Sequence, residues 1–142
     1  MKTLTLEAEY DCDFALFGLV SSTRDYTLAW SLNRSLRARL VRQPDFVLNL
    51  VQQGALAFSY YLYATEVLTL RLLRNRAALP STLAKPFLAP DIREYDYLLQ
   101  VQGGADEWAG IELLDRLTAL PLVQYASEFD PNELKYKENL IF

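Results

Sequence analysis

The chain contains no histidine, and this absence restricts its chemistry more than any other feature of the composition. Histidine is the commonest general base near neutral pH and the commonest transition-metal ligand. Cysteine is also scarce: Cys12 is the single one, so no internal disulfide can form. The sequence therefore predicts a protein that is not an enzyme and that uses no metal or cofactor.

Long apolar runs are missing as well. No stretch approaches the roughly 20 apolar residues that a membrane span needs. The opening residues 1–7 turn acidic before an apolar signal segment could form. We therefore expect a protein of the reducing cytoplasm with no membrane partner.

Positive charge and glycine are limited too. The chain has 14 Lys and Arg against 18 Asp and Glu, a net charge of −4, which makes nucleic acid an unlikely partner. Only five glycines occur, and the pair Gly103-Gly104 lacks the following residues of a phosphate-binding loop.

The 142 residues that are present, 51% of them apolar, suit one domain over residues 1–142. Alternating or continuous apolar patterns predict strands, and four-residue apolar spacing after Ser22, a candidate cap, predicts the first helix. Strands are predicted at 3–13, 14–20, 46–50, 56–62, 68–72, 95–101 and 123–129, and helices at 23–37 and 107–119.

These elements predict the α+β class: an antiparallel sheet of six to seven strands with two main helices on one face. The three strands between residues 46 and 72 form a meander, and on the last of them Arg71 is expected to point outward. The β-α-β units at 14–52 and 95–129 look like halves of a ferredoxin-like or ACT-like fold. Residues 130–133, Asp-Pro-Asn-Glu, predict a capped short helix.

The segment 89–97, Ala-Pro-Asp-Ile-Arg-Glu-Tyr-Asp-Tyr, resembles the motif of the bacterial IPExxxVDY family. Pro90, Asp96 and Tyr97 match, whereas Ala89 and Tyr95 replace the motif's Ile and Val. The final residues 137–142 are similar to the family's KxNLIF ending. The resemblance implies a small bacterial protein of uncharacterised function, and it supplies no catalytic residue or cofactor.

The motif segment is the first candidate site. A carboxylate and a guanidinium beside a tyrosine could hold a small polar ligand or a peptide. The same residue types also serve as turn formers that bond nearby backbone amides. The candidates are Asp91, Arg93, Asp96 and Tyr97.

Two further groups of side chains are candidates for contacts with partners. Arg34, Arg37, Arg71 and Arg74 form one basic patch if the end of the first helix lies near the end of the third meander strand. Leu140, Ile141 and Phe142 are large apolar residues at the end of the sequence, and we expect them to dock on the domain or across a homodimer interface. The acidic alternation from Glu7 to Asp13 favours a charged strand face over a Mg²⁺ or Ca²⁺ site.

Three functions remain open from the residues alone. The first is protein–protein interaction or self-association. The second is a regulatory domain of ACT type that binds a small ligand, and the third is an RNA-associated accessory protein using the arginines. The connection from Val20 to Thr23 lacks the glycine turn of an ACT-like pocket, so the sequence favours the first.

Overall fold

The computed structural model describes residues 13–50, 54–78, 86–103 and 110–142. The predicted strand at 3–13 lies outside these ranges except for Asp13. Six strands, two α-helices and short 3-10 turns are described: β1 (Ala15–Val20), α1 (Asp25–Leu36), β2 (Val41–Leu50), β3 (Gly54–Ala64), β4 (Leu68–Arg74), β5 (Tyr97–Gly103), α2 (Gly110–Thr118) and β6 (Tyr125–Phe129), with 3-10 turns at Pro90–Ile92, Pro131–Glu133 and Lys137–Leu140.

The six strands form one antiparallel sheet in the order β2-β3-β4-β5-β1-β6. The predicted α+β class is thus confirmed, and so is the meander β2-β3-β4. β1 lies between β5 and β6 and is antiparallel to both, so α2 connects two parallel strands with one strand between them. The ferredoxin-like or ACT-like topology of the two units stays a prediction.

Both α-helices cover the same face of the sheet, which we call the helix side. Leu28, Leu32 and Leu36 of α1 are buried there together with Leu113 and Leu117 of α2. Their four-residue spacing places these leucines on one stripe of each helix. Burying each leucine contributes roughly 1.5–3 kcal/mol. Of the helices in the described ranges, none has the length and apolar character needed to cross a membrane.

The opposite face, which we call the tail side, is covered as well. Leu73 of β4 is buried there under Leu88, Ile92 and Leu140, which come from the 86–97 segment and from the last turn. The prediction that this side of β4 points outward was wrong. Arg71 is half-buried, because chain segments without regular strand or helix pattern lie across the face.

Two predicted caps had different outcomes. Asp130 accepts a 3.0 Å hydrogen bond from the backbone N–H of Asn132, and a 3-10 turn follows it as predicted. Ser22 does not cap α1: the helix begins at Asp25, and no side chain caps it at Arg24. Hydrogen bonds from Asp96 and Tyr97, at the beginning of β5, hold the connection before α1, and the helix begins later than predicted.

Candidate functional site

Two residues of the motif segment hold the connection between β1 and α1. The Asp96 carboxylate accepts a 2.8 Å hydrogen bond from the backbone N–H of Ser21. The Tyr97 hydroxyl donates a 2.6 Å bond to the carbonyl of Thr23. Burial raises the pKa of Tyr97 to about 12, although the nearby Arg74 charge opposes that shift. The Tyr97 hydroxyl therefore stays protonated and donating at neutral pH.

The other two motif candidates lie apart from this pair. The Asp91 carboxylate accepts a 2.8 Å bond from the backbone N–H of Lys135, near the end of the sequence. Arg93 is exposed beyond the Pro90–Ile92 turn. The structure thus ties Asp91 to the C-terminal segment, whereas Asp96 and Tyr97 are tied to the connection before α1.

Asn75, which no sequence pattern indicated, organises the motif segment. Its side chain is fully buried and bonds the backbone of Ala89, Ile92 and Tyr95 at 2.8–3.5 Å. One asparagine thus replaces the hydrogen bonds that a regular ladder would supply to this irregular chain. Nothing in its sequence neighbourhood, between two arginines, distinguishes it from a surface asparagine.

A polar cluster that the sequence did not indicate fixes the beginning of α1 to the sheet. The Asp25 carboxylate accepts hydrogen bonds from the Ser59 hydroxyl of β3 and from the backbone N–H of Tyr26. Burial by itself raises the pKa of Asp25, but these bonds and the nearby Arg42 charge together lower it below its usual value. An ionised carboxylate already satisfied in this way is a poor general base, so its role is to position α1.

The outward face of α1 carries aromatic and basic side chains. Tyr26 and Trp30 are 59% and 57% exposed. They lie one helical turn apart, and Arg34 follows one turn later on the same stripe. The Arg34 guanidinium lies 4.8 Å from the centre of the Trp30 ring. Arg37 follows at the end of the helix with a left-handed backbone conformation, φ 54°. We call Tyr26, Trp30, Arg34 and Arg37 the α1 stripe.

The predicted basic patch is not formed. Arg74 pairs with Tyr97 across β4 and β5, and Tyr97 bonds Thr23 just before α1 begins, so Arg74 lies near the start of α1. A helix of 12 residues spans about 18 Å, which separates Arg74 from Arg37 at its other end. Arg71 lies on the tail side, across the sheet from α1.

The last residues of the sequence lie across the tail side. Leu140 is 1% exposed, whereas Ile141 and Phe142 are 39% and 44% exposed. The Phe142 ring lies 4.8 Å and 5.7 Å from the rings of Phe46 and Tyr60 and 5.0 Å from the Arg71 guanidinium. Beneath these residues is a cavity of about 130 Å³, lined by Asp13, Phe14, Arg71, Gln100, Gln102, Leu140, Ile141 and Phe142.

The comparisons with known proteins name no class for this chain: no protein-family model, curated protein or solved structure matches it. Membership of the IPExxxVDY family therefore stays a prediction. Within the described ranges, no three Asp, Glu, Cys or His side chains lie close enough together to hold a metal ion.

Proposed function

We propose that this chain is a binding module whose α1 stripe docks on an acidic protein partner. The observation that carries the proposal is the exposure of Tyr26 and Trp30 side by side on one helix, with the Arg34 guanidinium beside the Trp30 ring. Tyrosine, tryptophan and arginine are the residues that dominate the binding energy of protein interfaces. We place this binding in the cytoplasm of a bacterium, as the composition and the motif resemblance suggest.

The anchoring of α1 supports a rigid docking surface. Ser59 holds its first residue, Asp96 and Tyr97 hold the connection before it, and its inner leucines are buried. A surface already fixed in its bound shape loses little conformational freedom on association. The motif residues would then act indirectly, by positioning the helix that binds.

Charge favours an acidic partner over a second copy of the chain. The exposed charged residues along α1 and at its two ends are Arg24, Arg34 and Arg37, while Asp25 is half-buried and bonded to Ser59. A symmetric contact between two such helices would bring two sets of arginines into one interface. A partner groove with an apolar floor and an acidic rim would bury the two rings and face the guanidinium groups.

The test is affinity capture with wild-type and variant proteins in parallel from the same extract, followed by calorimetry with the purified partner. Trp30→Ala should weaken binding at least tenfold, since buried tryptophans at interfaces commonly contribute about 2 kcal/mol or more. Arg34→Glu should also weaken binding, and the loss of affinity should be larger at low salt than at high salt, because salt screens the charges. The matched control is Tyr125→Ala, because Tyr125 is also 57% exposed but lies on β6.

A partner retained by Trp30→Ala, or lost equally with Tyr125→Ala, would contradict the proposal. Capture abolished by nuclease would show an RNA-dependent interaction in place of a direct protein contact. A wild-type dimer in sedimentation that Trp30→Ala converts to a monomer would replace the acidic partner with a second copy.

A further inference from the structure

Arg71 is a half-buried cation whose hydrogen-bond partners, among the residues that the structure describes, are all neutral. Its Nε donates to the Tyr60 hydroxyl at 3.2 Å, and its Nη1 donates to the side-chain oxygens of Gln100 at 3.1 Å and Gln102 at 3.5 Å. In the described ranges no carboxylate lies within 4.0 Å of its guanidinium, whose Nη2 donates to no residue there. Charged groups removed from water are normally paired with an opposite charge.

The two glutamines are themselves held in place, so the guanidinium has a fixed orientation. Gln100 is 2% exposed, and its amide nitrogen donates a 2.7 Å bond to the carbonyl of Leu140. The Gln102 amide nitrogen donates a 3.1 Å bond to the Asp13 carboxylate. Each glutamine therefore turns its oxygen toward Arg71, which lines the cavity of about 130 Å³ together with both glutamines.

We propose that this cavity binds a small aliphatic monocarboxylate, with its carboxylate on Arg71. An arginine offers parallel N–H donors that suit a planar carboxylate. Phe14, Leu140 and Ile141 also line the cavity and would contact a short hydrocarbon chain. A cavity of about 130 Å³ has room for a small ligand only, so the chain is short.

Asp13 distinguishes this ligand from a phosphate. Its carboxylate lines the same cavity and would repel a dianion, whereas a monocarboxylate needs only one neutralising charge. The site lies on the tail side, across the sheet from the α1 stripe. It does not rest on the proposed protein binding, and either proposal can fail without the other.

The test is an amide chemical-shift titration of the full chain with acetate, propionate and butyrate, each at constant ionic strength. Shifts should be largest at Gln100, Gln102 and Leu140 and should saturate. Affinity should rise up to about fourfold with each added methylene until the cavity is filled, which is the effect of roughly 0.8 kcal/mol per buried CH₂. Inorganic phosphate and ethylamine should cause no saturating shifts.

Variants test the role assigned to the guanidinium. Arg71→Gln should weaken butyrate binding at least tenfold, and Arg71→Lys, which keeps the charge but not the parallel donors, should weaken it severalfold. Arg74→Gln removes the same charge from the end of the same strand, outside the cavity, and should bind as wild type does.

Several results would overturn the proposal. They are non-saturating shifts in the wild type, phosphate binding as tight as that of butyrate, affinity independent of chain length, or equal losses in Arg71→Gln and Arg74→Gln. The wild-type titration needs no substitution at Arg71, so the proposal can be tested even if the Arg71 variants fold poorly.

Discussion

The Asp96 carboxylate accepts a 2.8 Å hydrogen bond from the backbone N–H of Ser21, a residue 75 positions earlier in the chain. The backbone of Asp96 adds two more links, donating to the carbonyl of Leu19 and accepting from the N–H of Asn75. One residue thus joins the end of β1, the end of β4 and the start of β5. The motif segment is in this respect a structural junction.

Replacing Asp96 with alanine should lower the free energy of unfolding by about 1–2 kcal/mol, because the Ser21 N–H loses a charged acceptor. Asp96→Asn keeps an oxygen acceptor and should recover most of that loss. Urea denaturation at pH 7 measures both. Glu94→Gln, an exposed neighbour, is the control, and equal denaturation midpoints for Asp96→Ala and Glu94→Gln would contradict this role.

Asn75 should be the most sensitive polar residue of this junction. Asn75→Ala leaves the carbonyls of Ile92 and Tyr95 and the N–H of Ala89 without their buried partner, and we expect a loss of about 3 kcal/mol or more. Asn139 offers a matched control, since its half-buried amide makes one 3.0 Å bond, to Leu88. Asn139→Ala should cost about 1 kcal/mol, and a similar loss for both variants would contradict the assignment.

The sequence predicted those parts of the fold that depend on local pattern. The strands of the meander, the buried stripe of α1 and the Asp130 turn are all specified by residues close together in the chain. The cap of α1 was wrongly assigned to Ser22, since bonds from Asp96 and Tyr97 hold the connection before the helix. A short-range pattern contains no information on contacts over 75 positions.

The candidate site was less predictable for the same reason. The basic patch depended on which end of α1 lies near β4, and that is decided by the pairing of Arg74 with Tyr97 and by the bond from Tyr97 to Thr23. Arg71 looked solvent-facing because alternate residues of β4 are apolar, and only the chain segments that cover the tail side reveal its partly buried setting. The α1 stripe was missed because exposed aromatics and buried ones look alike in a sequence.

Tyr97 should make stability depend on pH in the alkaline range. Its hydroxyl is buried, and its pKa is about 12 in the folded protein against an ordinary tyrosine value of 10.0. The folded state holds this proton more tightly than the unfolded state. The contribution of the Tyr97 hydroxyl to the free energy of unfolding is therefore fully present below pH 10. It is lost as pH rises toward 12, and the loss is on the order of 2–3 kcal/mol.

Comparison of wild type and Tyr97→Phe separates this effect from the rest of the protein. At pH 8 the variant should be about 1 kcal/mol less stable, because the Thr23 carbonyl loses its donor. Between pH 10 and 12 the wild type should lose more stability than the variant, so the difference narrows or reverses. Tyr61 and Tyr95, whose pKa values burial also raises, titrate in both proteins. The control is Tyr26→Phe, a change at an exposed tyrosine, and it should follow the wild-type profile. Parallel stability curves for wild type and Tyr97→Phe would contradict the role assigned to the Tyr97 hydroxyl.

The last three residues of the sequence make unequal contacts with the domain. Leu140 is 1% exposed within the tail-side core, and its carbonyl accepts a bond from the buried Gln100 amide. Phe142 stacks on Tyr60 and meets the Phe46 ring at a tilted angle while remaining 44% exposed. Ile141 is 39% exposed. Their contributions to stability should follow the same order: Leu140, then Phe142, then Ile141.

Leu140→Ala should therefore lower the free energy of unfolding by about 2–3 kcal/mol, the lower part of the range for buried leucines. Phe142→Ala should cost about 1–2 kcal/mol and Ile141→Ala less than about 1 kcal/mol, since both side chains are partly in water. Each kcal/mol shifts the melting temperature of a domain near this size by roughly 2–4 °C, so thermal melts can order the three variants. Deleting residues 140–142 should exceed the loss in Leu140→Ala, because it also removes the carbonyl that the buried Gln100 amide needs. If the truncated protein and the wild type melt together, these residues do not stabilise the domain, and the cavity wall assigned to them is not present in solution.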